Sequence, residues 1–289
     1  MNLVIGATGS LGGLISHRLL KGGAPVRALV REGSDYYSLQ SGGAQVALGD
    51  LKSPRSLERA CVGVKRIIAT ASAAGRSGID TIEAVDRQGY ASLVDAALAA
   101  NVQQFVFVSA HGFGPDSPLD LARAKAGTEE ILKSSGFDYT IIRPALFMES
   151  WISMALGAQL QLGPRVVIMG DPDQPLPFVA IGNVADLALA TLDHADARSV
   201  SLSLSARAVS YRQVIDWIDE VTGRAIAIES VPPGTKVPGL PTSVLELWSW
   251  LATSSIEPIE TVGVAVKFGL ALETPRSFIT RTFGQSSPI

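Results

Sequence analysis

Apolar stretches of strand length alternate with amphipathic stretches of helix length from the start of the chain. A short apolar run bounded by Gly, Pro or Asp is typical of a buried strand, whereas apolar residues three or four positions apart are typical of a helix that faces a core. This alternation predicts the α/β class, with a doubly wound parallel sheet. The runs predict strands at 2–6, 26–30, 44–48, 66–70, 104–109 and 138–144, and helices at 10–21, 54–62, 82–101 and 119–134.

After Pro144 the alternation becomes looser. Strands are predicted at 165–169 and 199–205, and helices at 182–194, 211–223 and 243–252, among turns rich in Pro and Gly. We therefore expect residues 1–145 to form the main domain. Residues 146–289 are expected to form a smaller lobe, with some segments that return to the main domain.

Composition narrows the class of protein. Charged residues make up 18% of the chain and the net charge is −3, with Lys and Arg dispersed, so no nucleic-acid partner is expected. No apolar run reaches the length of about 18 residues that a membrane span needs. The single cysteine, Cys61, excludes an internal disulfide and lies in an apolar helix end, where we expect an inert core thiol. These features predict a soluble, cytoplasmic protein.

The first strand leads into a glycine-rich turn, VIGATGSLGG, which places Gly6, Gly9 and Gly12 in a G-x-x-G-x-x-G pattern. A turn of this kind between a strand and a helix is typical of dinucleotide sites. Gly6 allows the tight turn, Gly9 lets backbone amides approach a pyrophosphate, and Gly12 lets the helix pack closely on the strand. A glycine-rich turn without a ligand is the alternative. The predicted cofactor contacts in this turn are Gly6, Thr8, Gly9, Ser10, Leu11 and Gly12.

The residue at the end of the second strand distinguishes NAD from NADP. An acidic residue there binds the ribose 2′-hydroxyl of NAD, whereas an arginine accommodates the 2′-phosphate of NADP. Arg31 stands at this place and predicts NADP, with NADPH as its reduced form. Two alternatives stay open. In the first, the register is shifted by one residue and Glu32 binds the ribose of NAD. In the second, Arg31 is an ordinary solvated surface residue.

The end of the third strand supplies two further candidates. Asp50 closes this strand, and Leu51 follows it. We include both residues in the predicted cofactor site. For Asp50 two roles stay open: its carboxylate accepts a hydrogen bond from the adenine amino group, or it caps the helix that follows.

Together, GATGSLGG, VRALVR, VALGDLKSP, FVFVSA and DYTIIRPALFMESW resemble the atypical short-chain dehydrogenase/reductase superfamily. More narrowly they resemble its NmrA-like and isoflavone reductase-like branch. The resemblance covers residues 1 to about 150 and continues loosely through FVAIGNVADLA. It implies a Rossmann domain that binds NAD(P), a small substrate lobe, and NADP(H) as the usual cofactor.

The resemblance also implies where to look for the active site. Many short-chain dehydrogenases use Tyr-x-x-x-Lys on a helix, with a serine upstream. Lys125 matches that lysine, but Leu121 occupies the tyrosine position, a departure that the isoflavone reductase-like branch shares. Lys125 is then expected to contact the nicotinamide ribose or, with a lowered pKa, to donate a proton. The alternative is a solvent-facing helix lysine.

Two residues near the end of the fifth strand complete the candidate site. Ser109 is expected to hold a substrate oxygen, and its alternative role is to cap the following turn. His111 is a candidate for the missing acid, with a surface histidine as its alternative. The loop 147–151 (FMESW) suits an apolar substrate, although Trp151 fits the core of the small lobe equally well. No Cys/His cluster or Ser/His/Asp order indicates metal or hydrolytic chemistry.

These residues favour an NADP-dependent oxidoreductase that transfers hydride to or from a small, largely apolar carbonyl, enone or quinone-type substrate. Lys125 and Ser109 are its predicted catalytic residues. The alternative is a non-catalytic redox sensor of the NmrA type that acts through a protein partner, which the absent tyrosine favours. A cofactor-bound structural or assembly factor is a weaker third possibility.

Overall fold

The computed structural model describes residues 1–237, 240–254, 256–257, 259 and 261–284. Its strands, in chain order, are β1 (Asn2–Ile5), β2 (Val26–Val30), β3 (Gln45–Leu48), β4 (Arg66–Ala69), β5 (Gln104–Val108), β6 (Asp138–Pro144), β7 (Leu146–Phe147), β8 (Arg165–Met169), β9 (Phe178–Val179), β10 (Val200–Leu204) and β11 (Ala227–Val231). Its α-helices are α1 (Ser10–Lys21), α2 (Tyr37–Ser41), α3 (Pro54–Cys61), α4 (Tyr90–Ala99), α5 (Asp120–Ser134), α6 (Ala155–Leu160), α7 (Ile181–Ala190), α8 (Tyr211–Thr222), α9 (Thr242–Thr253), α10 (Thr261–Lys267) and α11 (Pro275–Phe283). Ile82–Gly89 and Glu149–Met154 are π-helical, and Ala195–Ala197 is a 3₁₀ turn.

The main sheet has the strand order β10-β6-β5-β4-β1-β2-β3, and strands β1 to β6 pair in parallel. The chain starts at β1, moves outward to β3, and returns to β4 on the other side of β1. At such a switch point the connections diverge to opposite faces of the sheet, which opens a crevice at the carboxyl ends of the strands. The expected doubly wound parallel sheet, a Rossmann-like fold, is confirmed.

The core around this sheet explains the long apolar runs. Every residue of β5 is buried, as expected for a strand covered on both faces. The ring of Tyr90 packs edge-on against Phe107, with centroids 5.1 Å apart. Cys61 is fully buried in the same core, and burial raises the pKa of its thiol to about 11. The expected position of this thiol in the core is confirmed.

The chain divides into two compact units. The first contains Met1–Arg143 and Val184–Leu202, and the second contains Pro144–Asn183 and Ser203–Ile289. In the second unit β8 pairs in parallel with β11, and β7 with β9. The core of the second unit is rich in aromatic rings, and Trp151 packs edge-on against Trp248 at a centroid distance of 5.9 Å. Trp151 is therefore a core residue of this unit.

Some elements differ from the sequence prediction. The helix predicted at 82–101 begins as the π-helical segment Ile82–Gly89 and continues as α4. Helix α2 has five residues, too few to give a periodic signal. In the tail, β11, α10 and α11 were not predicted, because Pro and Gly interrupt its hydrophobic pattern. Within the described residues, no helix is both long enough and apolar enough to cross a membrane.

Candidate functional site

The glycine turn between β1 and α1 is a tight backbone crossing. Gly6 has a φ of +83°, and a Cβ at this position would lie 2.9 Å from the Ala71 nitrogen. A Cβ on Gly12 would lie only 2.2 Å from the Gly6 carbonyl oxygen, closer than any real contact. Packing within the protein thus requires both glycines, because no side chain fits where α1 crosses the end of β1.

Gly9 differs from these two glycines. A Cβ on Gly9 would meet only the Gly6 oxygen, at 3.3 Å, so packing does not strictly require glycine here. Gly9 is also the N-cap residue of α1, whose first turn carries no acidic residue. Thr8 and Ser10 are exposed beside it, whereas Leu11 is buried. The first turn of α1 therefore presents backbone N–H groups and the positive end of the helix dipole, a donor set that fits a pyrophosphate.

A cluster of cations lies at the carboxyl ends of β2 and β3. The Arg31 guanidinium donates to the Asp80 carboxylate at 2.5 Å, and the Lys52 ammonium donates to the other oxygen of Asp80 at 2.5 Å. Arg76 contacts Asp80 at 3.3 Å, and Lys52 also contacts Asp50 at 2.8 Å. We call these five residues together, three cations and two carboxylates, the cation cluster: Arg31, Lys52, Arg76, Asp50 and Asp80. Arg31 is therefore ion-paired. It is not the simple solvated arginine of the alternative interpretation.

Sequence reasoning found Arg31 and Asp50 but missed the other members of the cation cluster. Lys52 could have been found, because β2 and β3 are neighbours with Val30 opposite Leu48, so residues just beyond both strands meet. Arg76 and Asp80 lie in the irregular segment between β4 and the π-helical segment, where no periodic pattern fixes a position. Their place in the cluster follows only from the folded chain.

The charges of the cation cluster stabilise one another. Hydrogen bonds from Lys52 and Arg31 lower the pKa of Asp80 to about 2, although partial burial acts in the opposite direction. The pKa of Lys52 is raised: desolvation lowers it, but the hydrogen bonds and charges of Asp50 and Asp80 outweigh that effect. Asp50 also accepts a hydrogen bond from the backbone N–H of Lys52 at 2.8 Å. The N-cap of α3 is Ser53, so Asp50 does not cap this helix.

Lys125 lies on the buried face of α5. The residue is 8% exposed, and its ammonium donates to the Val108 carbonyl at 3.0 Å and lies 5.2 Å from the Phe107 ring centroid. Burial lowers the pKa of Lys125, while the negative charges of Asp86 and Glu129 oppose this shift. The alternative of a solvent-facing helix lysine is therefore wrong.

Two buried polar side chains near Lys125 each have an oxygen atom without a hydrogen-bond partner among the described residues. Ser109, which directly follows β5, is 4% exposed, and its hydroxyl has no partner within the described part of the chain. It therefore does not cap the following turn. Asp86, on the π-helical segment, accepts from the Ala73 nitrogen at 2.8 Å through one carboxylate oxygen, and its other oxygen has no described partner. Buried polar atoms without partners are rare and often mark ligand sites.

Asp86 escaped the sequence analysis because it stands inside a predicted amphipathic helix, where an acidic residue usually faces water. The structure reverses this expectation: Asp86 is buried, and the hydroxyl of Thr128, three positions after Lys125, donates to its backbone oxygen at 3.3 Å. The π-helical segment and α5 thus pack with Asp86 and Lys125 in one buried region. A carboxylate in the middle of an otherwise apolar helix face was the signal available in the sequence.

Other predicted residues lie elsewhere or have other contacts. His111 is half-buried in the turn after β5. In the loop 147–151, Met148 and Trp151 belong to the core of the second unit, and the Glu149 carboxylate accepts from the Ile181 nitrogen at the start of α7 at 3.1 Å. Leu51 is buried. Its Cβ lies so close to Gly89 that a Cβ on that glycine would be only 2.9 Å away. No group of His, Cys, Asp or Glu among the described residues is arranged to hold a metal ion.

The fold and this arrangement define a class: a doubly wound α/β protein with a glycine-rich turn between its first strand and its first helix. The sequence profile of the NmrA-like family matches residues 2–252. The chain belongs to the NmrA-like family. The resemblance stated from the motifs is confirmed.

Two curated relatives differ in their described roles. The photosystem II assembly factor Ycf39 of Cyanophora paradoxa is 30% identical over 249 residues, which cover 86% of this chain and 77% of that protein. The NAD(P)H azoreductase of Xenophilus azovorans is 31% identical over 155 residues, which cover 54% of this chain and 51% of that enzyme. The curated relatives of this chain thus include both an assembly factor and a reductase.

Solved structures share the fold across nearly the whole chain. The NADPH-dependent quinone oxidoreductase QOR2 of Escherichia coli, complexed with NADPH, has a TM-score of 0.80 at 21% identity and covers 98% of this chain and 100% of its own. The triphenylmethane reductase of Citrobacter sp., complexed with NADP(H), has a TM-score of 0.81 at 20% identity, with coverage of 98% and 100%. At these identities the comparison shows a common fold.

Proposed function

We propose that this protein binds NADP(H) and transfers hydride between it and a small, largely apolar carbonyl, enone or quinone-type substrate. The observation that carries the proposal is the cation cluster at the carboxyl ends of β2 and β3, in the same unit as the glycine turn. A dinucleotide with a 2′-phosphate needs a cation at the end of β2 in addition to the turn, whereas NAD is bound there by an acidic residue. The relatives described as NAD(P)H azoreductase and NADPH-dependent quinone oxidoreductase support this choice.

Each part of the cofactor then has a proposed partner. Gly9 and the first turn of α1 hold the pyrophosphate, and Arg31 and Lys52 hold the 2′-phosphate, with the guanidinium in a fork geometry. Asp50 accepts from the adenine amino group. Glu32, the residue that would favour NAD, is exposed, whereas Arg31 points into the cation cluster. This contrast supports NADP over NAD.

Bound NADPH would supply the hydride. Lys125 and Ser109 are the proposed catalytic residues, and Leu121 stands where other short-chain dehydrogenases have tyrosine. The Ser109 hydroxyl, without a described partner, would hold the substrate oxygen. The Lys125 ammonium, whose pKa is lowered by burial, would donate a proton or hold the nicotinamide ribose. Asp86 would act through Lys125, since its negative charge favours the protonated amine. We also infer that the second unit is the substrate lobe.

The test is NADPH oxidation with a panel of quinones, azo dyes and enones. Wild type should turn over at least one acceptor, and Lys125→Met should lower kcat by about 100-fold or more. Unchanged NADPH binding in this variant would indicate the proton-donor role, and weaker binding the contact with the nicotinamide ribose. Lys133→Met, on the same helix but partly exposed, is the matched control and should retain activity. Tight NADPH binding without turnover of any acceptor would rule out the oxidoreductase.

A second function remains a candidate because of one comparison. The relative named photosystem II assembly factor matches 86% of this chain, and Leu121 removes the usual proton donor. Under this alternative the protein binds the dinucleotide, senses its redox state and acts through a protein partner. A marked difference between the affinities for NADP⁺ and NADPH, without turnover, would support it. The cytoplasmic location stays a prediction under both functions.

A further inference from the structure

We propose that Asp80 is a latch that competes with the cofactor's 2′-phosphate: its carboxylate ties the segment 70–81 to Arg31 and Lys52 and is displaced when the phosphate binds. This inference rests on the proposed binding of NADP(H). It assigns a role to a residue of negative charge at the centre of a site that is proposed to bind an anion.

The geometry of the cation cluster supports competition. Both carboxylate oxygens of Asp80 are engaged: one accepts from Arg31 at 2.5 Å and from Arg76 at 3.3 Å, and the other accepts from Lys52 at 2.5 Å. A 2′-phosphate would seek the same N–H groups of Arg31 and Lys52. Asp80 therefore occupies the position in which the phosphate oxygens would be best held.

The charge balance makes joint occupancy unfavourable. Three cations face the two carboxylates of Asp50 and Asp80, which leaves one net positive charge. A phosphate monoester carries a charge of about −2 at pH 7. With Asp80 in place the cluster would become negative, and two anions would compete for the same donors. With Asp80 displaced, one negative charge leaves the site, and the phosphate meets Arg31 and Lys52 without a competing carboxylate on the same donors.

The part of the segment that follows the core residue Ala73 is exposed and can move without disturbing the core. The segment joins β4 to the π-helical segment without regular structure, and residues 74–79 are exposed, with Ile79 79% exposed. Gly75 and Gly78 both have positive φ, which eases changes of the backbone. The end of the segment is fixed by Thr81, whose hydroxyl accepts from the Ala84 nitrogen at 3.0 Å. Among the described residues, Asp80 joins this segment to Arg31 and Lys52. The ion pair between Arg76 and Asp80 lies within the segment itself.

The latch makes a specific thermodynamic prediction. A ligand with a 2′-phosphate must displace Asp80, whereas a ligand without it need not. Asp80 thus lowers the affinity for NADP(H) but not for NAD(H). It therefore reduces the ratio by which the protein prefers NADP(H) over NAD(H). The hydrogen bonds that hold Asp80 keep it ionised, with a pKa of about 2, so the competition persists at every physiological pH.

The experiment is calorimetric titration of wild type and Asp80→Asn with adenosine 2′,5′-bisphosphate and with adenosine 5′-monophosphate, which lacks the 2′-phosphate. Asp80→Asn should bind the bisphosphate about threefold to tenfold more tightly and the monophosphate with unchanged affinity. Asp120→Asn is the matched control, because Arg87 and Arg123 hold Asp120 outside the cation cluster. This variant should bind both probes like wild type. Circular dichroism establishes that each variant is folded, and Asp80→Ser provides a second removal of the charge.

The outcomes separate the latch from the proposed cofactor. If wild type prefers the bisphosphate but neither Asp80 variant binds it more tightly, the latch is overturned and the NADP assignment stands. If both probes gain affinity equally in Asp80→Asn, a general opening of the site replaces the latch. If wild type does not distinguish the probes and Arg31→Ala changes neither affinity, the NADP assignment fails and the latch fails with it.

Discussion

Lys125 should give the stability of the protein a pH dependence of known sign. Burial lowers the pKa of this amine in the folded chain, whereas an unfolded lysine titrates near about 10.4. Between these two values the unfolded chain binds the extra proton, so the contribution of Lys125 to the free energy of unfolding rises with pH. Relative to Lys125→Met, wild type should therefore gain free energy of unfolding as the pH rises toward 10. Guanidinium denaturation at several pH values measures this, and a pH-independent difference would contradict the account.

Ser109 and Thr140 are buried hydroxyls that should respond differently to removal. Thr140 donates to the Ala197 carbonyl at 2.6 Å, so Thr140→Val should cost about 1–3 kcal/mol by leaving that oxygen unpaired. Ser109 has no described partner, so Ser109→Ala should change stability by about 0.5 kcal/mol or less. Catalysis should show the reverse order, with turnover reduced only in Ser109→Ala. Equal losses of stability in the two variants would mean that Ser109 has a structural role.

At the residue scale, sequence reasoning identified side chains by their place in the pattern but could not see their partners. Arg31 and Lys125 were found from strand ends and a family motif, and both lie at the expected elements. Asp80 and Asp86 were missed. One belongs to an irregular segment, and the other stands in a helix where burial of a carboxylate contradicts the usual pattern. Only tertiary contacts reveal such groups.

At the scale of elements, the junction of β1 and α1 makes a testable demand on glycine. A Cβ at position 12 would lie 2.2 Å from the Gly6 oxygen, so Gly12→Ala should cost about 2 kcal/mol or more. Gly127→Ala is the control: a Cβ on this glycine of α5 meets nothing within 4 Å. That variant should gain about 0.5–1 kcal/mol from helix propensity. Thermal unfolding gives both values, and a Gly12→Ala protein as stable as wild type would contradict the packing described.

Most elements of the main sheet could be predicted because buried parallel strands produce continuous apolar runs. The π-helical segment Ile82–Gly89 could not, since an extra residue per turn has no signature in a pattern of period 3.6. Gly89, at the end of this segment, packs its backbone closely against Leu51. In the tail, short elements such as β11 depend on pairing with β8 from a distant part of the chain. Local sequence does not contain that information.

At the scale of the whole molecule, local charge outweighs net charge. The chain carries −3 overall, yet the cation cluster is positive and lies at the carboxyl edge of the sheet. Affinity for a phosphorylated ligand should therefore come from contacts of short range and not from long-range attraction. A weak dependence of the affinity on ionic strength would distinguish such a specific site from a surface that binds anions in general.

The most direct test of the account is to titrate NADPH and NADH against wild type, Arg31→Glu and Arg66→Glu. Arg66 is the matched control, because it also pairs with one aspartate but lies at the start of β4, on the opposite edge of the sheet. Wild type and Arg66→Glu should prefer NADPH by about tenfold or more, since each lost charge-assisted contact costs about 1.4 kcal/mol or more. Arg31→Glu should abolish or reverse this preference. An intact NADPH preference in Arg31→Glu would contradict the central claim.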